Sequence, residues 1–177
     1  VSIALTDPEE YLGEKIPTIK ATQDSNGYLL TGTAPGVSYG TDMDQFILPA
    51  DLEGQVALFL VKKQTEGVAV SGINLADGST QATINLSSVA VVANNLLSSG
   101  EEAEKALNYV RDLARISISA YLVGLSESVF DITLDYLKTR TQFGQPIGSF
   151  QALQHRAVDL FIQKVIAGSV LDETLQG

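Results

Sequence analysis

Cysteine is absent from this chain, so disulfides, thiolate catalysis and cysteine-ligated metals are excluded. Histidine occurs once, at His155, which excludes a histidine-rich metal site as well. Positive charge is scarce. Lys and Arg number 11 against 21 Asp and Glu, a net charge of −10. That balance argues against nucleic acid as a partner, and against non-specific attraction to anionic lipid. No apolar run is expected to be long enough to span a membrane. No internal repeat, low-complexity segment or N-terminal signal pattern is visible in a sequence that begins at Val1. What is present is a globular composition, 45% apolar and 18% charged over 177 residues. That is enough chain to bury a real core in one domain or two small ones.

Two regimes follow each other along the chain. Up to about Leu97, short runs rich in Val, Ile, Thr and Tyr alternate with turn residues, the pattern of strands. Segments 18–22 and 28–32 flank Asn26-Gly27, a favoured hairpin turn. Segments 46–48 and 55–61 flank the turn-rich connection 49–54, and 68–70 and 80–92 supply further strands. Residues 1–98 are expected to form an antiparallel β-barrel or sandwich. They carry 11 acids and 4 bases.

The class changes near Ser98. Ser99 and Glu102 have the spacing of a capping box. Leu107, Val110, Ala114, Ile118, Tyr121, Leu125, Val129, Ile132 and Tyr136 then recur at steps of three and four, which predicts a long helix. Between Leu113 and Leu125 the other faces are apolar too, so more than one side of this helix is expected to be covered. Ser149 can cap a second helix, whose stripe runs through Phe150, Leu153, Ala157, Phe161, Val165, Gly168, Leu171 and Leu175. Residues 99–177 therefore read as a long antiparallel helical hairpin, half of a four-helix bundle. Its uncovered sides require further chain or another subunit. The whole is α+β. This half holds 10 acids and 7 bases, so most of the positive charge sits on the helices.

Between the helices lies a corner, 139–149, with two Gly and one Pro to break the helical pattern. Arg140 falls at the C-terminal end of the first helix, where a cation suits the helix dipole. Taken singly, Arg140 and Phe143 read as a helix cap and a hairpin closure, since isolated motif residues usually have structural jobs.

The run Y-x-x-x-R-x-Q-F-G-x-P-I-x-x-F-Q-x-x-Q, from Tyr136 to Gln154, resembles the signature of the acyl-CoA dehydrogenase family. Tyr136, Arg140, Gln142, Phe143, Gly144, Pro146, Ile147, Phe150, Gln151 and Gln154 stand at the signature's spacings without a gap. The resemblance implies FAD as cofactor, with Arg140 on the pyrophosphate and Gln142 and Phe143 against the adenosine of a flavin held mainly by a neighbouring subunit. Asp112-Leu113-Ala114-Arg115 resembles the family's D-x-x-R beside the acyl-CoA substrate, and Arg115 precedes Arg140 by 25 positions. The structural alternative for Asp112 and Arg115 is an ordinary i, i+3 helix ion pair.

The β-then-helix order matches the family's middle domain and the start of its C-terminal domain. Ala4-Leu5-Thr6-Asp7-Pro8 resembles the family's A-L-T-E-P, which places Thr6 on the flavin ring, although the five residues alone read rather as a strand ending at a proline turn. Leu30 to Gly40 resembles L-x-G-x-K-x-W-I-T-N-G, with Ser38 as the hydroxyl at the reactive flavin edge. The alternative for Ser38 is a plain turn residue. Three departures stand beside these matches. Glu9-Glu10-Tyr11-Leu12-Gly13 replaces a G-A-G-S-D-like turn, Gly36 replaces a Trp that covers the ring, and Ala34 replaces a Lys.

The leading expectation is a fragment or truncated member of such a dehydrogenase, whose parent, by resemblance, desaturates an acyl-CoA by proton abstraction and hydride transfer to flavin N5 and hands electrons to an acceptor protein. It works as a homodimer or homotetramer, in the cytoplasm, or in the mitochondrial matrix of a eukaryote. No residue is assigned as the catalytic base: by resemblance it is expected in most of the family beyond the residues matched here, and the neighbourhood of the D-x-x-R, which holds it in a minority, offers no carboxylate other than Asp112. Two alternatives remain open. One is a non-catalytic relative that keeps the fold for oligomerisation or binding. The other is a flavin monooxygenase on the same fold.

Overall fold

A computed structural model describes residues 2–3 and 18–176. Thr6 and the turn at 9–13 lie outside the described residues. The chain divides into two compact units, Val1–Tyr109 and Val110–Gly177.

The first unit is built on strands β1 (Ser2–Ile3), β2 (Lys20–Asp24), β3 (Gly27–Ser38), β4 (Gln45–Leu52), β5 (Gln55–Lys62), β6 (Val68–Asn74), β7 (Thr80–Val92) and β8 (Leu96–Ser99). They form one sheet in the order β6-β7-β3-β2-β4-β5-β8, with β1 beside β4. Most pairs are antiparallel, but β2 and β1 each run parallel to β4. The expected sheet is therefore present as a mixed one, compatible with a sandwich, and its path runs from β6 to β8 without closing.

Alternation sets the core. Phe46, Leu48 and Ala50 of β4, Ala57, Phe59 and Val61 of β5, and Ile84, Leu86, Val89 and Val91 of β7 are buried in one apolar cluster. Each large side chain so buried contributes roughly 1.5–3 kcal/mol. The three-residue step from Leu86 to Val89 is reconciled by a bulge at Ser88, which has φ 51°. Its backbone N–H donates to Thr31 Oγ1 at 3.3 Å. The first turns of helix α1 (Glu101–Thr139) also belong to this unit, where Ala103 and Leu107 are buried.

Three local expectations are corrected. The β2–β3 hairpin exists, but Asp24 pairs Gly27, so its turn is Ser25-Asn26. Gly27 is needed for a different reason, because a Cβ there would sit 2.1 Å from the Val91 carbonyl oxygen. Strand β4 runs straight through Pro49, and the turn is Glu53-Gly54, both at positive φ. Pro49 is tolerated because it lies between the described stretches where β4 meets β1 (Phe46, Ile47) and β2 (Asp51, Leu52). Ser99 does not cap α1. It pairs with Ala57 as the last residue of β8, and Gly100 donates its N–H to the Val56 carbonyl at 2.8 Å before the helix starts.

The second unit holds the remainder of α1, a small hairpin of β9 (Thr141–Gln142) and β10 (Gln145–Pro146), and α2 (Gln151–Gln176). The helices meet through Phe130 and Phe161, with ring centroids 6.1 Å apart, and through Lys164. Lys164 lies 3.8 Å from Glu127 and 5.4 Å from the centre of the Phe130 ring. Ser149 does not cap α2. Its hydroxyl donates to the Pro146 carbonyl at 2.7 Å, and α2 begins two residues later. No residue of α2 is buried, and large apolar side chains of α1 such as Ile118, Leu122, Val129 and Ile132 are exposed. By length and composition alone α1 is apolar enough to cross a membrane, with a mean hydropathy of 1.2 over 18 residues. That corrects the expectation that no such run exists. The same composition also suits a bundle helix covered on several sides.

Candidate functional site

The corner is a hairpin clamped between two helix ends. The Arg140 N–H donates to the Tyr136 carbonyl at 2.9 Å, so it closes the last turn of α1. The Arg140 carbonyl in turn accepts the Ile147 N–H at 2.8 Å. Gln142 pairs Gln145 and Thr141 pairs Pro146. The connection is therefore two residues, Phe143 at φ 55° and Gly144 at φ 80°, the positive-φ pair of a type I′ turn. Gly148 lets the chain return close to α1, since a Cβ there would lie 2.9 Å from the Leu137 carbonyl oxygen.

This geometry presents three side chains together. Phe143 occupies a left-handed conformation that costs a non-glycine residue about 1–2 kcal/mol, and it is 91% exposed. Its one ring contact among the described residues is edge-on to Phe150, at 6.1 Å and 82°. Gln142 is exposed, and its Nε2 donates to the Thr141 carbonyl at 2.8 Å. Arg140 is exposed, and among the described residues its guanidinium is in no ion pair. A strained, exposed aromatic beside a guanidinium on a rigid turn suits a ligand with an anionic part and a flat ring.

Further back on α1, Asp112 and Arg115 form the i, i+3 pair, with Arg115 Nη1 2.9 Å from Asp112 Oδ1. Both side chains are well exposed, so the pair is worth only a few tenths of a kcal/mol. It holds the two groups next to each other on the helix surface without removing either from solvent.

Ser38 stands on the β unit. It is the exposed last residue of β3, paired with Gln81. Just before it the register of β3 against β7 shifts between Ala34 and Val37, a bulge that takes in Pro35 and Gly36, the latter at φ 68°. Just after it comes Tyr39, at φ 54° and 51% exposed. The structure thus brings Arg140, Gln142 and Phe143 onto one hairpin and joins Asp112 to Arg115. Ser38 lies on the other unit, and Thr6 lies outside the described residues. Tyr39 is the residue that sequence reasoning passed over. Gly40 signals a turn there, but nothing in the sequence says that the residue before the glycine takes the left-handed conformation. Among the described residues no His, Asp and Glu group gathers as a metal site.

Residues 103–174 match the family model for the acyl-CoA dehydrogenase C-terminal domain. The chain is similar to acyl-CoA dehydrogenase FadE27 of Mycobacterium tuberculosis, 33% identical over 144 residues that make up 81% of this chain and 38% of that protein. It is also similar to the probable acyl-CoA dehydrogenase YngJ of Bacillus subtilis, 30% identical over 92% of this chain and 45% of that protein. Among solved structures, the ChsE4–ChsE5 complex from Mycobacterium tuberculosis superimposes with a TM-score of 0.78 at 29% identity. That match covers 98% of this chain and 46% of the matched one. The chain spans less than half the length of each of these relatives.

Proposed function

Because this chain belongs to the acyl-CoA dehydrogenase family, we propose that it forms the middle sheet and the first helical hairpin of an FAD-dependent enzyme that desaturates acyl-CoA thioesters. The observation that carries the reading is the corner, where one short hairpin between α1 and α2 holds Arg140, Gln142 and Phe143, all exposed. The residues present fit the cofactor on this side. Arg140 offers a forked cation to a pyrophosphate, Gln142 an amide, and Phe143 an exposed ring face for a nucleoside. On the β unit Ser38 offers a hydroxyl to the ring edge, while Gly36 leaves no aromatic cover at its position.

When bound, FAD supplies the two-electron chemistry that accepts a hydride from the substrate. The chain's own residues bind and orient. Arg140 fixes the register of a neighbouring subunit's cofactor, and Asp112 with Arg115 marks the acyl-CoA side of α1. A further group, outside those assigned here, removes the α-proton. The uncovered apolar faces of α1 and α2 are closed by additional helices or by copies in a homodimer or homotetramer, and an acceptor protein takes the electrons.

The test is the flavin content of the full-length protein. Arg140→Ala is expected to weaken FAD binding roughly ten- to a hundred-fold, the loss of one charge-assisted contact of about 1.5–3 kcal/mol. Arg140→Lys should recover part of it, keeping the charge without the fork. Unchanged flavin retention in Arg140→Ala would remove the pyrophosphate role.

A second reading draws support from Gly36, which leaves the β unit without the aromatic cover, and from the likeness to a chain of a two-component complex. Here the chain is a subunit that lends Arg140 to a partner's flavin and binds none itself. One flavin per two chains in the assembled protein would favour it over the first reading.

A further inference from the structure

We propose that Tyr39 is the aromatic platform of the β-unit site, packing its ring against the flat ring system of the bound flavin in place of the cover that Gly36 cannot provide. The inference rests on the flavin reading above and deepens it.

Four non-glycine residues take the left-handed conformation among the described residues: Tyr39, Glu53, Ser88 and Phe143. Glu53 and Ser88 serve structure, since one forms the β4–β5 turn with Gly54 and the other is the bulge of β7. Phe143 and Tyr39 are aromatic, and both are exposed. A bulky aromatic that is held in a disfavoured conformation without being buried gains nothing for the core, which points to a function for its position.

Its backbone leaves it little freedom. The Tyr39 N–H donates to the Thr80 carbonyl at 2.8 Å, and the Tyr39 carbonyl accepts the Asp42 N–H at 2.9 Å, which opens the short 3-10 turn Gly40–Asp42. Gly40 is buried so tightly that a Cβ would meet the Ala82 methyl at 2.8 Å and Val37 at 3.3 Å. The far end of the turn is tied down by Lys63, whose Nζ donates to the Thr41 carbonyl. A glycine with no room for a side chain therefore follows the strained tyrosine and locks it. The described ring pairs are Tyr28–Phe59, Phe130–Phe161 and Phe143–Phe150, so Tyr39 packs on no other ring.

The chemistry offered is specific. Ser38 supplies a hydroxyl and Tyr39, the next residue, a ring with a polar tip, both exposed at the end of β3. A flat heteroaromatic ligand uses the face of the Tyr39 ring. An acyl chain alone would use neither well.

The decisive measurement is an FAD titration of the full-length protein and of Tyr39→Asn and Tyr39→Phe, followed by flavin fluorescence, with thermal melting alongside. Asn tolerates the left-handed conformation, so Tyr39→Asn should melt no lower than the natural protein. It should bind FAD about five- to ten-fold more weakly, and its bound flavin should be brighter because ring contact is lost. Tyr39→Phe should keep both affinity and quenching. Natural binding and quenching in Tyr39→Asn would overturn the platform and leave the flavin reading standing. A marked drop in melting temperature with unchanged binding would assign Tyr39 to structure. Failure of the natural protein to bind FAD at all would remove the flavin reading and this inference with it.

Discussion

Phe59 of β5 and Phe161 of α2 are the same residue type in opposite settings. Phe59 is fully buried against the edge of Tyr28, with ring centroids 5.1 Å apart, inside a sheet whose core draws on β2 through β7. Phe161 meets Phe130 across the helical hairpin yet stays 50% exposed. The difference is one of geometry. A sheet that bends over its own inner face can cover alternate residues with neighbouring strands. Two helices side by side cover only the strip where they touch, so apolar residues on the other faces have nothing from their own unit to meet. The β unit buries a core of its own, while the apolar side chains of the helical unit stay largely exposed.

The largest effect expected from this contrast is at Phe59. Phe59→Ala should lower stability by about 3–5 kcal/mol through loss of transfer energy and the cavity left behind, read as a fall in the urea midpoint. Phe161→Ala in the isolated chain should cost about 1 kcal/mol, since half of its surface is already wet. A loss at Phe161 as large as that at Phe59 would break the comparison, because it would mean that α2 is covered in solution.

A smaller effect sharpens the helical side. Lys164 is half-buried beside a more exposed Glu127 and lies over the Phe130 ring. Lys164→Ala should cost roughly 0.5–1 kcal/mol in helix melting, part from the screened ion pair and part from the ring. High salt should remove only the ion-pair share, so a difference that vanished completely in salt would deny the ring any part.

The smallest effect lies at the tip of the β6–β7 loop. Asp77 Oδ1 accepts the Ser79 hydroxyl at 2.7 Å and the Ser79 N–H at 2.9 Å. The hydroxyl first, then the N–H, lower the Asp77 pKa from its usual value. A depressed folded-state pKa stabilises above the unfolded pKa and loses that contribution as pH falls through the folded one. Asp77→Ala should therefore melt slightly below the natural protein at neutral pH and level with it in strong acid. An equal gap at both ends of the pH range would show that the loop depends on turn shape and not on charge.

The sequence spoke clearly where one physical signal dominates. Alternation located β7 at 80–92, and the three-four step ran unbroken along α1, because burial on one face imposes those periods. The same signals are silent about how strands pair, so the parallel β2–β4 contact and the passage of β4 through Pro49 could not be seen. Caps were misread for a local reason: Ser99 and Ser149 have cap-like spacing, but the first is taken by strand pairing and the second by the Pro146 carbonyl. The corner was legible because ten residues fall in step from Tyr136 to Gln154. Its left-handed Phe143 was not, and neither was Tyr39, because backbone strain at an aromatic leaves no compositional trace.

The two-residue turn at Phe143-Gly144 also sets a phase. It allows no slack between the end of α1 and the start of α2, so the rotation of one helix about its own axis is geared to the other. One residue inserted at the start of α2, where the chain is already helical, would rotate the rest of that helix by about 100°. Such a step would carry Phe161 away from Phe130 and Lys164 away from Glu127 together. The hairpin works as a counting device as much as a connector, and changes in its length should be tolerated far less well than changes in its side chains.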